Sequence, residues 1–212
     1  MELLIKGGPV MIPLAVCSVI AVTLTLERFL SLSRGRVIPD DFIEDLERHC
    51  PDPDDEGAKV YCDRSGSVVG RVFRAAFAKV KSGKEDLTTA VSDTASREVG
   101  KMRRSLRGLK VIAAIAPLLG LLGTVSGMIR AFQTVALSSS SLGRAEMLAQ
   151  GIYEAMVTTA TGLAIAIPTL LVFYLLSNRV DGLADDIEAA AERFIDYCLG
   201  TRPTPPPTAE AS

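Results

Sequence analysis

Long uncharged stretches alternate along this chain with densely charged ones. Gly7 to Leu26 runs for 20 residues without Asp, Glu, Lys or Arg, Val111 to Ile129 for 19, and Ala155 to Asn178 for 24. At about 1.5 Å per helical residue, each is long enough to cross a hydrocarbon core of about 30 Å. The pattern predicts an all-α integral membrane protein with three transmembrane helices. Outside these spans the apolar residues recur at helical spacing. Val69, Val72, Phe73, Ala76 and Val80 follow Ser67 in this way, up to a break at "KSGKED". Leu87, Val91, Thr94, Glu98 or Val99, Met102, Leu106 and Leu109 then lead directly into the second span. Gly100 and Gly108 cost such a helix only about 1 kcal/mol each. Past the third span, Val180, Leu183, Ile187, Ala190, Phe194 and Cys198 form an apolar stripe, with Asp185, Asp186, Glu188, Glu192 and Asp196 opposite. A stripe of this kind packs on another helix. Spans two and three are therefore expected to extend into the cytosol as long helices.

The expected organisation is a first transmembrane helix in 1–33, a helical cytosolic loop in 34–110 and a second transmembrane helix in 111–136. A short external loop in 137–151 leads to the third transmembrane helix in 152–178. A cytosolic helix in 179–200 and a proline-rich, disordered tail in 201–212 complete it. Within the large loop, a short helix is expected from about Pro39 to Cys50, and "CPDPDDEG" reads as a loop. The first uncharged run is too long for a signal-peptide core, and no small-residue cleavage site follows it, so it is kept as a span.

Lys and Arg set the orientation. Of the 23, the segment 34–110 holds 16, and Arg28, Arg34 and Arg36 flank span one while Lys101, Arg103, Arg104, Arg107 and Lys110 flank span two. The positive-inside rule then puts the large loop and the C-terminus in the cytosol and the N-terminus outside.

Composition narrows the function. Mean hydropathy is +0.29 and net charge −2, which argues against a nucleic-acid binder. Cys17, Cys50, Cys62 and Cys198 have no C-x-x-C spacing and read as reduced thiols. The single histidine, His49, in a charged loop, cannot build a His-rich metal site, so neither metal nor cofactor is expected. There is no phosphate-binding loop for ATP. The spans hold no histidine and no Ser or Cys paired with a base, so the chain is expected not to be an enzyme.

The chemistry lies inside spans two and three. Ala116, Gly120, Gly123 and Gly127 are small residues at helical spacing, and Gly162 and Ala166 form a similar stripe with Ala155 and Thr159. Small residues let helix backbones approach in lipid. Pro117 and Pro168 lack the N–H that a helix interior needs. Thr124 and Ser126 either bond their own backbone or line a wet path. Glu154 shares a face with Thr158 and Thr161, and such a carboxylate is costly unless it meets protein or water. It either reaches headgroup water or borders an ion path lined by Thr124 with one or more of Thr158, Thr159 and Thr161. Arg130 is the available counter-charge. Threonine solvates an ion but does not titrate, so a carboxylate from a partner span is expected to complete any proton path.

"APLLGLLGTVSGMIRAF" (Ala116 to Phe132) and "GIYEAMVTTATGLAIAIP" (Gly151 to Pro168) resemble the two most characteristic segments of the ExbB/TolQ/MotA proton-channel family, ExbB/TolQ more closely than four-span MotA. The resemblance implies a homo-oligomer, a pentamer, in the bacterial inner membrane, surrounding the helices of an ExbD/TolR-like single-span partner that carries the proton-accepting aspartate. Force would pass to a TonB- or TolA-like protein. It implies that Thr124 and Thr159 are pore threonines and Glu154 the span-three glutamate. Glu154 and Thr159 stand about 140° apart on an ideal helix, so Thr159 is expected to face the pore and Glu154 a neighbouring helix near Arg130. The process served could be TonB-dependent uptake, Tol-type envelope maintenance or motility, with protons or sodium as the coupling ion. A non-conducting helical scaffold is the competing class.

Overall fold

The computed structural model describes residues 8–39, 42–49, 56–137 and 143–199. Eight α-helices are found among them: α1 (Met11–Ser31), α2 (Arg34–Val37), α3 (Phe42–His49), α4 (Glu56–Ser65), α5 (Val68–Phe77), α6 (Lys84–Ser105), α7 (Arg107–Leu137) and α8 (Arg144–Leu199). Three stretches are long and apolar enough to cross a membrane, lying in Met11–Ser31, Lys84–Leu137 and Arg144–Leu199. The chain is thus an all-α membrane protein, as its charge pattern predicts.

Several boundaries differ from expectation. The helix leading into span two is interrupted at Leu106, a turn residue between α6 and α7. Gly108 follows, and the Lys110 N–H donates to the Leu106 carbonyl at 3.3 Å across the junction. The third long helix begins at Arg144, so residues 144–151 are helical rather than part of a loop. Gly143, at φ +89°, supplies the turn before it. His49 closes α3 instead of standing in a loop, and Glu56 opens α4 where the loop was expected to run to Gly57. The expected tail, 201–212, and Cys50 lie outside the described residues.

The chain divides into two compact units. The first combines residues up to Leu30 with Ser105–Ser177 and holds the three apolar stretches. The second combines Ser31–Arg104 with the chain from Asn178 onward. Its core is aromatic. The rings of Phe73 and Phe194 stack at 4.0 Å, and Phe77 meets Phe194 edge-on at 5.1 Å. Ser67 caps α5 by accepting the Gly70 N–H at 2.9 Å, which holds Val69, Val72, Phe73 and Ala76 in the core. Along α8 the predicted stripe is buried: Val180, Leu183, Ile187, Ala190 and Phe194. Leu87, Val91 and Met102 are its counterparts on α6.

Glu98 is the exception on that buried face, with 6% of its surface exposed. It accepts hydrogen bonds from Arg71 Nη2 at 2.8 Å and Nε at 3.1 Å, and from Lys101 Nζ. Burial pushes its carboxyl up, but the hydrogen bonds and charges of Lys101 and Arg71 outweigh burial and hold it below its ordinary value of 4.5. A depressed carboxyl pKa stabilises the fold above the unfolded-state value, and the stabilisation is lost as pH falls through the folded value. Glu98→Gln is expected to destabilise the full chain at pH 7 by about 1.5 kcal/mol. Thermal unfolding in detergent followed by circular dichroism checks this, and the gap to wild type should close as the pH drops below 4.5.

Candidate functional site

Two backbones in close contact build the site. α7 and α8 run antiparallel, and small residues mesh along their seam. A β-carbon on Gly151 would lie 2.3 Å from the Ala131 Cβ, and one on Gly127 3.1 Å from the Ala155 Cβ. One on Gly123 would strike the Thr158 side chain at 2.3 Å. A β-carbon on Gly120 would lie 3.0 Å from the Thr159 Cα and 3.4 Å from the Gly162 Cα, and one on Gly162 would sit 2.7 Å from the Ala116 carbonyl oxygen. These positions are therefore small because the facing helix, by backbone at Gly120 and Gly162 and by side chains at Gly123, Gly127 and Gly151, fills the place of their side chains.

This seam decides where the hydroxyls and charges go. On helices turning about 100° per residue, Thr159 and Glu154 fall on opposite flanks of the Ala155–Thr158–Gly162 line. Thr124 and Arg130 likewise fall on opposite flanks of the Gly120–Gly123–Gly127 line. Arg130 Nη2 lies 3.5 Å from Glu154 Oε1, which puts both charges on one flank of the hairpin. Thr124 and Thr159 are consequently on the other. The Thr159 hydroxyl donates across the seam to the Gly120 carbonyl at 2.9 Å. The Thr124 hydroxyl donates to the Leu121 carbonyl at 2.7 Å in its own helix. Carbonyls cannot donate, so each threonine oxygen is left as an acceptor.

Span one packs against both helices of the hairpin. Met11 and Leu14 are buried in a cluster with Ala116 and Ala166, against which Leu119 and Ile165 pack. Leu24 meets Gly108 further along, so α1 runs antiparallel to α7. On the threonine flank, Leu121, Met128, Met156 and Leu163 are all exposed.

The expected path residues are thus not brought to one surface. Thr158 is buried in the seam, 1% exposed, and donates to Ala155 O at 2.7 Å. Thr161 donates to Val157 O at 2.8 Å and stands on the Glu154 flank. Ser126 bonds the Gly123 carbonyl at 3.2 Å. Glu154 faces the neighbouring helix and Arg130, as the helical-wheel angle requires, and its side chain keeps 30% of its exposure. Two participants were not singled out by sequence reasoning. Gly151 extends the small-residue stripe by one turn, a spacing that the Gly151–Ala155 interval already displays. Gly8 sits against Glu154, and only the tertiary fold brings them together.

The packing of the glycines is testable. Gly162→Val is expected to cost about 3 kcal/mol, because its β-carbon meets backbone that cannot yield. Gly100 has nothing within 4 Å of its β-position, so Gly100→Ala is expected to stabilise by about 0.5–1 kcal/mol. Denaturation midpoints in detergent separate the two directions.

The hairpin falls within the region that this chain shares with known proteins. The model of the MotA/TolQ/ExbB proton channel family matches residues 64–189. A Synechocystis protein described as biopolymer transport protein ExbB-like 1 is 36% identical over 173 residues, covering 81% of this chain and 68% of its own. Another from that organism, ExbB-like 3, is 31% identical over 198 residues, covering 90% and 94%. The Tol-Pal system protein TolQ of Haemophilus influenzae is 36% identical over 99 residues, 47% of this chain and 42% of its own.

Proposed function

The chain belongs to the MotA/TolQ/ExbB proton channel family, and from that premise we propose that it is a proton-conducting stator subunit of the bacterial inner membrane. In this reading several copies, five by family resemblance, enclose the helices of an ExbD/TolR-like single-span partner. Proton flow then powers an envelope process of the TonB-dependent uptake type, through a TonB- or TolA-like protein. The N-terminus is periplasmic and the C-terminus cytoplasmic, in line with the basic residues that flank spans one and two.

One observation carries the reading: Thr124 and Thr159 share the flank of the hairpin opposite the Arg130–Glu154 pair. Their hydroxyl hydrogens are committed to carbonyls, so their oxygens accept. Acceptors at that depth suit a water wire, a hydronium or a partner's protonated carboxyl, and do not suit an anion. The flank presents no titratable side chain among the described residues near these threonines, so the proton carrier comes from the partner helix. Leu121, Met128, Met156 and Leu163 offer that helix an apolar surround. Each charge crossing 100 mV releases about 2.3 kcal/mol, so a few protons suffice for conformational work without ATP.

Proteoliposomes containing the chain and its candidate one-span partner test the proposal. Proton uptake under an imposed voltage and pH gradient should require the partner. Thr159→Ala removes both the acceptor and the cross-seam bond and is expected to lower flux at least about tenfold, the effect of about 1.4 kcal/mol on a barrier. Thr124→Ala is expected to act in the same direction, and Glu154→Gln to impair flux by loosening the ion pair. Full flux in both threonine variants would place the path elsewhere.

A further inference from the structure

Gly8 meets the Glu154–Arg130 pair at closer range than any side chain allows. A β-carbon there would lie 2.2 Å from Glu154 Oε1, 3.3 Å from Glu154 Cδ and 3.1 Å from Arg130 Nη2. The residue also has φ +67°, a conformation that glycine adopts freely. Its position is fixed from below. The Gly8 carbonyl accepts the Met11 N–H at 3.1 Å and opens α1. Met11 and Leu14, 3% and 0% exposed, anchor that first turn against Ala116 and Ala166. On the far side, Arg130 is held by its Nε donating to the Ser126 carbonyl at 3.3 Å. The carboxylate therefore lies between a guanidinium secured by α7 and a turn secured by α1.

We propose that the Gly8–Pro9 turn is a backbone clamp that positions the Glu154 carboxylate against Arg130. Three features act together: the missing side chain admits the carboxylate, the buried first turn of α1 resists retreat, and the positive end of α1 favours the negative charge beside it. Gly8 is a positioning residue, acting through Glu154 on whatever the hairpin conducts. The contribution to conduction rests on the proposed function. The clamp does not, and its test is made without flux.

The test uses the full chain with its partner in native membranes and the membrane-permeant reagent N,N′-dicyclohexylcarbodiimide, which modifies carboxyls in apolar surroundings that are not held in an ion pair. The rate of Glu154 modification is read by mass spectrometry. Gly8→Ala should raise it about fivefold, the scale of losing one partly buried ion pair. Gly8→Asn accepts positive φ but keeps the collision, and should raise it equally, which separates contact from backbone strain. Arg130→Gln sets the rate for an unpaired Glu154. In the Gly8→Ala background, Glu154→Asp draws the carboxylate back by one methylene and should return modification at that position towards the wild-type rate. Modification at the wild-type rate in both Gly8 variants while Arg130→Gln is fast would overturn the clamp, as would acceleration by Gly8→Ala but not by Gly8→Asn. Proton uptake in the same membranes reports separately on the conducting function.

Discussion

The approach of the α7 and α8 backbones is the constraint on which the rest depends. In lipid, apolar side chains gain nothing from leaving their surroundings for one another, so helix pairs are selected by close packing and hydrogen bonds. Gly120, Gly123, Gly127, Gly151 and Gly162 bring the two backbones into contact. At that distance a side-chain hydroxyl of one helix reaches a main-chain carbonyl of the other, as Thr159 does with Gly120. A larger residue at Gly120 or Gly162 would strain the bond along with the packing.

The seam also sorts polar groups that would otherwise compete. Glu154 and Arg130 neutralise one another on one flank, beside the Gly8 turn that opens α1. Thr124 and Thr159 occupy the other flank, without charge and with their oxygens free to accept. In the proposed reading, an ion path built from acceptors beside a neutralised pair does not trap the cation it passes. A lone carboxylate on the same flank would attract the cation too strongly to release it.

Much of this was legible in the sequence. The charge-free runs located the spans because an unpaired charge is costly in hydrocarbon, and the stripe from Val180 to Phe194 is the buried face of α8. The 140° between Glu154 and Thr159 is helix geometry, and the structure realises it as two flanks. Periodicity could not show the turn at Leu106, since Met102, Leu106 and Leu109 remain in phase across it. It placed Thr158 with Glu154 and Thr159 in the small-residue stripe, but could not show that Thr158 meets Gly123 inside the seam while Thr159 bonds Gly120 across it. Gly8 was invisible for a different reason. Its contact with Glu154 joins residues far apart in the chain, and no local pattern encodes that. Glu98 fell on the apolar stripe as an anomaly, resolved by Arg71 from a distant helix and Lys101 from its own.

The central claim is that the Thr124–Thr159 flank is the wet one. It is tested most directly by introducing single cysteines into a background with Cys17, Cys50, Cys62 and Cys198 replaced. Thr124→Cys and Thr159→Cys are compared with Ser126→Cys and Thr161→Cys for reaction with a water-soluble methanethiosulfonate in membranes containing the chain without its partner. The account predicts modification at positions 124 and 159 and protection at 126 and 161. Modification confined to positions 126 and 161, or equal on both flanks, would contradict it.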